Sequence, residues 1–114
     1  MSISNEPIWW WPFSGGGMFA ALFVPIHLVL FGLAIPQGWV ADPGAAQLSA
    51  LFEFPLVRLY LFVFVAGCLI HAAHRLRYLL VELGLHTLGG PIAFVSYALA
   101  LAGSAWAAWV IFTP

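Results

Sequence analysis

Three long apolar runs make up most of the chain, separated by short polar or breaker-rich segments. The first covers about residues 18 to 35 and stops at the breaker cluster PQGW. The second starts near Pro55, a residue suited to the first turn of a helix, and continues to about residue 83. The third follows the turn HTLGGP and covers about residues 92 to 112. A hydrocarbon core of roughly 30 Å needs about 20 apolar residues in a helix, so each run reaches spanning length. The pattern predicts an all-α integral membrane protein with three transmembrane helices, forming one domain over residues 1–114. At 1.5 Å per residue the second helix measures roughly 42 Å, so its end protrudes or the helix tilts. Between the first two runs, VADPGAAQLSALFEF reads as a polar-to-amphipathic loop with room for a short interfacial helix.

Composition agrees and removes other classes. The chain is 64% hydrophobic and 6% charged, with a mean hydropathy of +1.04, whereas soluble domains carry about 25% charged residues. A net charge of −1 and only three Lys plus Arg leave no basic footprint for nucleic acid. One cysteine, Cys68, excludes an internal disulfide and any multi-cysteine metal centre. The opening MSISNEP lacks a basic n-region, so the N-terminal segment is expected to be retained. Arg75 and Arg77 stand near the end of the second run and only Arg58 near its start. The positive-inside rule then places the turn at 84–91, and with it the N-terminus, in the cytoplasm.

Two runs carry packing signals. Ser96, Ala100, Ser104 and Ala108 recur every four residues, a small-residue stripe that lets helix backbones approach closely in lipid. Pro25 inside the first run frees a backbone carbonyl and predicts a kink. Trp9, Trp10, Trp11, Trp39 and Trp109 lie near the expected span ends, as an interfacial aromatic belt would. The glycines of SGGGM allow either a tight turn or a close backbone approach just before the first span.

The polar stretch LIHAAHRLRYLLVEL, residues 69–83, stands apart. Polar and ionisable groups are costly in lipid and need a partner or a task. At about 100° per residue, His71, Arg75, Tyr78 and Glu82 share one stripe, with His74 about 60° to one side and Arg77 about 120° away. A plain reading is a basic helix end with satisfied histidines. Two sharper roles fit: hydrogen-bonding a quinone headgroup, which needs donors and a proton route, and axial ligation of a haem b by His71. His27, beside Pro25, is a lone intramembrane histidine of the kind usually bonded to a backbone carbonyl. Counted along the two runs, His27 and His71 fall at compatible depths.

A family resemblance adds to this. Glu6-Pro7, Trp10, Phe13, Gly16-Gly17-Met18, Pro25 and FGLAIPQG, followed by HRLRYLLVELGLH with His74, Arg75 and His86, resemble the fumarate reductase D subunit nearly end to end. The resemblance implies a three-helix anchor in the bacterial cytoplasmic membrane, paired with a C-type anchor subunit. Together they hold a flavoprotein and an iron–sulfur subunit while electrons pass from a quinol, usually menaquinol, to fumarate. It implies a non-catalytic chain with quinone-site residues at Trp10, Phe13 and Arg75, next to His74. LIHAA, with Glu82 eleven residues after His71, also resembles the haem-ligating stretch of succinate dehydrogenase anchors. There the second histidine would come from the C-type anchor. A free-standing small membrane protein, a pore former or minor transporter, is the alternative from a different class. The chain has neither the repeats nor the broken helices of a transporter, and no glycine motif of a nucleotide-binding βαβ unit.

Overall fold

The computed structural model describes residues 6–113. Helix α1 (Glu6–Val29) runs into a π-helical turn, Leu30–Ala34. A short helix α2 (Gly44–Phe52), the long α3 (Pro55–Glu82), a 3₁₀ turn (His86–Leu88) and α4 (Gly89–Phe112) follow. Among the described residues three segments are long and apolar enough to cross a membrane: Phe13–Ala34, Pro55–Glu82 and His86–Phe112. The second span agrees with the expected boundaries, and Pro55 stands in its first turn. The first begins earlier than expected. Its helix starts at Glu6, and Gly15, Gly16 and Gly17 lie inside it rather than in a turn before it. Pro7 falls within its first turn, where a missing N–H costs little. The helix also continues through Pro25, and the departure from α-helical bonding comes later, at Leu30–Ala34.

Helix α3 is the centre. Both α1 and α4 pack along it, and no comparable interface joins α1 to α4 among the described residues. The three spans run up, down and up, so the start of α1, the end of α3 and the start of α4 share one end of a molecule 54 Å long. Trp10 and Trp11 are exposed at that end, and Trp39 and Trp109 belong to the opposite end, as an aromatic belt at two interfaces requires. The side chain of Trp9 and the opening MSISN lie outside the described residues.

What is buried is small. Ala34, Ala73, Ala100, Ser96 and Ser104 form the core, and no large side chain among the described residues is fully buried. Ser96, Ala100 and Ser104 are the predicted stripe of α4, and Ser104 donates to the Ala100 carbonyl at 2.7 Å. At Gly103 a methyl group would meet Leu69 of α3 at 3.0 Å. The α1–α3 contact is closer still: a methyl on Gly16 would stand 2.5 Å from the Gly67 carbonyl oxygen. Both interfaces therefore depend on residues without bulk, which is how helices associate where no water drives them together.

The loop between the first two spans contains the expected short helix. Asp42 accepts a hydrogen bond from the Gly44 N–H at 2.8 Å, fixing the entry to α2. Arg58 on α3 donates to the Phe52 carbonyl at its end, as basic groups do at helix C-termini. No residue of α2 is buried.

The first span also carries an aromatic ladder. Phe19, Phe23 and His27 of α1 pack against Tyr60 and Phe64 of α3. His27 donates through Nδ1 to the Phe23 carbonyl at 2.7 Å, and the Tyr60 hydroxyl is 3.3 Å from its Nε2. The lone histidine is thus satisfied by a carbonyl and a neighbour. Its depth differs from that of His71, contrary to expectation. Tyr60 and Phe64 precede His71 by eleven and seven positions on α3, or roughly 10–16 Å along the axis. The count from span ends misled because α1 begins well before the apolar run does.

Gly15 and Gly16 make a sharp pair for testing this packing. Nothing lies within 4 Å of a methyl placed on Gly15, so Gly15→Ala should stabilise the chain by about 0.5–1 kcal/mol, the ordinary helical gain over glycine. Gly16→Ala should instead cost about 1–3 kcal/mol by forcing α1 off α3. Melting of the detergent-solubilised protein checks both, and equal effects would contradict the close crossing. On the other interface, Ala100 is only 5% exposed, so Ala100→Leu should lower the melting temperature of the detergent-solubilised chain by separating α4 from α3.

Candidate functional site: aromatic residues of α1 over the histidines of α3

Trp10, Phe13 and Gly17 recur at spacings of three and four, so they share one face of α1. The Gly16–Gly67 crossing turns that face onto the polar half of α3. There the Phe13 ring stacks on His71, with centroids 4.7 Å apart and planes 8° from parallel. It also lies 4.1 Å from His74. Trp10 stands edge-on to Phe13 at 5.3 Å and to His74 at 6.1 Å. His71 donates through Nδ1 to the Phe13 carbonyl at 3.2 Å, joining the two helices. Gly17 makes room for this ring, since a methyl there would lie 2.6 Å from it. A run of aromatics and glycines in the sequence therefore becomes a lid over two histidines.

The other side of His74 faces α4. Its Nδ1 is 2.7 Å from the Tyr97 hydroxyl, and its ring is 4.9 Å from Tyr78. Arg77 reaches the same Tyr97 oxygen at 3.5 Å. Its guanidinium lies 5.1 Å from the centre of the Tyr78 ring and 5.8 Å from that of Tyr97, a placement that favours a cation over aromatic faces.

The sequence-predicted residues thus fall into two groups. Trp10, Phe13, His71 and His74 meet in one cluster. Arg75, Tyr78 and Glu82 continue the same helical stripe but are exposed, presenting a cation, a hydroxyl and a carboxylate outward beside the cluster. Arg77 is half-buried against Tyr78 and Tyr97. His86 is exposed in the turn after α3. Sequence reasoning missed Tyr97. Its signal was present, a tyrosine in an apolar span next to Ser96 of the small stripe, but nothing local says that it reaches His74.

Taken together, the arrangement can hold a flat aromatic or carbonyl-bearing group. Trp10 and Phe13 supply apolar faces, while the indole N–H of Trp10 and the imidazole of His74 supply polar contacts. Among the described residues no group of three or more His, Cys, Asp or Glu side chains could hold a metal ion.

Comparison with known proteins places this geometry in a family. The family model for the fumarate reductase D subunit matches residues 1–112. The chain is 43% identical over 111 residues to the fumarate reductase D subunit of Mycobacterium tuberculosis (strain ATCC 25618 / H37Rv), covering 96% of this chain and 89% of that one. It is 35% identical to the fumarate reductase D subunit of Vibrio campbellii, covering 83% of this chain and 78% of the relative. For the fumarate reductase D subunit of Shewanella sp. (strain W3-18-1) the identity is 32%, covering 84% and 83%. With a match along nearly its whole length and three helices able to span a bilayer, the chain belongs to the fumarate reductase D-subunit family, as a multi-pass membrane-anchor subunit of the cell membrane.

Proposed function

We propose that this chain holds the flavoprotein and iron–sulfur subunits of a fumarate reductase at the cytoplasmic face of the membrane, and lines part of the quinol site beside them. One observation carries the second half of this reading. The Gly16–Gly67 crossing brings Trp10, Phe13 and His74 into a single cluster, with Arg75 exposed at the same level of α3. Between them these four residues supply what a quinone headgroup needs: flat apolar faces, hydrogen-bond donors and a fixed positive charge.

The chemistry divides between chains. A quinol becomes a quinone by losing two electrons and two protons. The electrons pass to the iron–sulfur subunit, and the protons leave through polar groups near the headgroup. At the flavoprotein, fumarate takes up two electrons and two protons to become succinate. This chain contributes orientation and hydrogen bonds, with menaquinol the expected donor. Trp10, Arg75 and Arg77 belong to the end that carries the N-terminus and the 84–88 turn, which supports a cytoplasmic placement of that end by the positive-inside rule. A partner is needed because one wall of the site is missing: Arg75, Tyr78 and Glu82 all face outward. A C-type anchor subunit against this side of α3 would close the pocket.

Haem b does not enter the proposal. His71 keeps a lone pair on Nε2, as an axial ligand must. Its ring, however, is stacked on Phe13 and pressed against Gly17, where a macrocycle has no space between α1 and α3. His27 lies two to three helical turns away, so a second imidazole would have to come from the C-type anchor.

Two measurements test the reading. A tagged chain solubilised in mild detergent should bring down a flavoprotein, an iron–sulfur subunit and a second small membrane chain at equal amounts. Recovery of this chain alone would overturn the anchoring role. In the assembled complex, Trp10→Ala and Arg75→Leu should each lower quinol-dependent fumarate reduction by about ten- to a hundredfold, the weight of one or two hydrogen bonds with charge assistance. Turnover driven by an artificial donor to the catalytic subunits should be unchanged. Quinol turnover at the wild-type rate in both variants would remove the quinone assignment.

A further inference from the structure

The Tyr97 hydroxyl lies between two groups of opposite needs. Arg77 carries only donors and keeps its charge in a protein, so the Tyr97 oxygen, 3.5 Å away, accepts from it. That hydroxyl has a single proton left, and the nearest acceptor is Nδ1 of His74 at 2.7 Å. Were Nδ1 instead the donor, the tyrosine oxygen would face two donors and its own proton would have no acceptor among these contacts. Within these contacts, one arrangement gives every donor an acceptor. Arg77 donates to Tyr97, Tyr97 donates to Nδ1, and a neutral imidazole then carries its proton on Nε2.

The two nitrogens flank one ring carbon, Cε1, and their bonds diverge, so they serve different partners. Nδ1 is turned to α4, while Phe13 and Trp10 approach from α1. We infer that Tyr97, backed by Arg77, is a positioning residue that locks His74 in its Nε2–H form, making the imidazole a donor to an oxygen-bearing ligand held against Trp10 and Phe13. The half-burial of His74, Arg77 and Tyr97 keeps competing water contacts few. A fixed tautomer decides whether the ligand meets a donor or an acceptor, because the non-bonded nitrogen takes the opposite character. For a quinone carbonyl the Nε2–H form is the complementary one. The donor role rests on the proposed quinol site, whereas the tautomer does not.

Nitrogen NMR of the full chain in lipid nanodiscs, labelled with ¹⁵N-histidine, reads the tautomer directly. The chain has four histidines, and His74→Gln identifies the His74 resonances by their loss. The expected spectrum shows a protonated Nε2 and an unprotonated Nδ1 in the wild type, and loss of that preference in Tyr97→Phe, which keeps the ring and removes only the hydroxyl. A protonated Nδ1 in the wild type, or an unchanged preference in Tyr97→Phe, would overturn the inference. In the assembled complex, Tyr97→Phe should then lower kcat/KM for a quinol analogue by about three- to tenfold, the worth of one hydrogen bond, while complex yield stays the same. His74→Gln separates the two ideas. If it slows quinol turnover and Tyr97→Phe does not, the positioning role fails and the quinol site stands. If His74→Gln leaves turnover intact, the donor role of His74 toward the quinol falls, whatever the NMR shows.

Discussion

In lipid, apolar side chains gain little by exchanging one hydrocarbon neighbour for another, so helices associate where their backbones can touch. Here the closest touch is Gly16 on Gly67, with a second small-residue seam between α3 and the Ser96, Ala100 and Ser104 stripe of α4. The polar cluster depends on both. The glycine crossing sets the level at which α1 meets α3, and so lays Phe13 over His71 and His74. The serine and alanine seam draws α4 close enough for Tyr97 to reach His74 from the other side. A larger side chain at either seam would separate groups whose hydrogen bonds tolerate only a few tenths of an ångström.

This packing also gives partners to several of the polar side chains that the described spans carry. His27 bonds a carbonyl of its own helix and meets Tyr60. His71 joins α3 to the Phe13 carbonyl, and His74 and Arg77 share Tyr97. Each such group would be expensive in hydrocarbon without a partner. On one stripe of α3, by contrast, Arg75, Tyr78 and Glu82 are exposed. Membership of the fumarate reductase D-subunit family implies partner subunits, and in the reading proposed above this stripe is the side one of them would cover.

The same geometry gives the two histidines of this stretch different surroundings. His71 is a packing histidine, clamped by a ring, a carbonyl and a glycine. His74 has one edge tied to α4 and its ring close to two aromatic side chains of α1. In the proposed reading His74 is the one that serves a ligand, with Tyr97 and Arg77, on two different helices, holding it.

Much of the architecture followed from local properties. Apolar run length set the number of spans, Pro55 marked the start of α3, the four-residue spacing of small side chains marked the seam of α4, and Trp10, Phe13 and His74 stood out by residue type and family pattern. These features are legible because each depends on neighbours within a few positions, or on the bilayer, which every apolar run meets alike. The start of α1 was not legible, since a glycine run is compatible with either a turn or a close backbone approach, and only the contact of Gly16 with Gly67 shows which it makes. Nor were the different depths of His27 and His71, the half-burial of Arg77, or the contact of Tyr97 with His74 across 23 positions of chain. Those were decided by how three helices slide and rotate against one another. That choice is made by backbone contact at small residues, and no single helix carries the information for it.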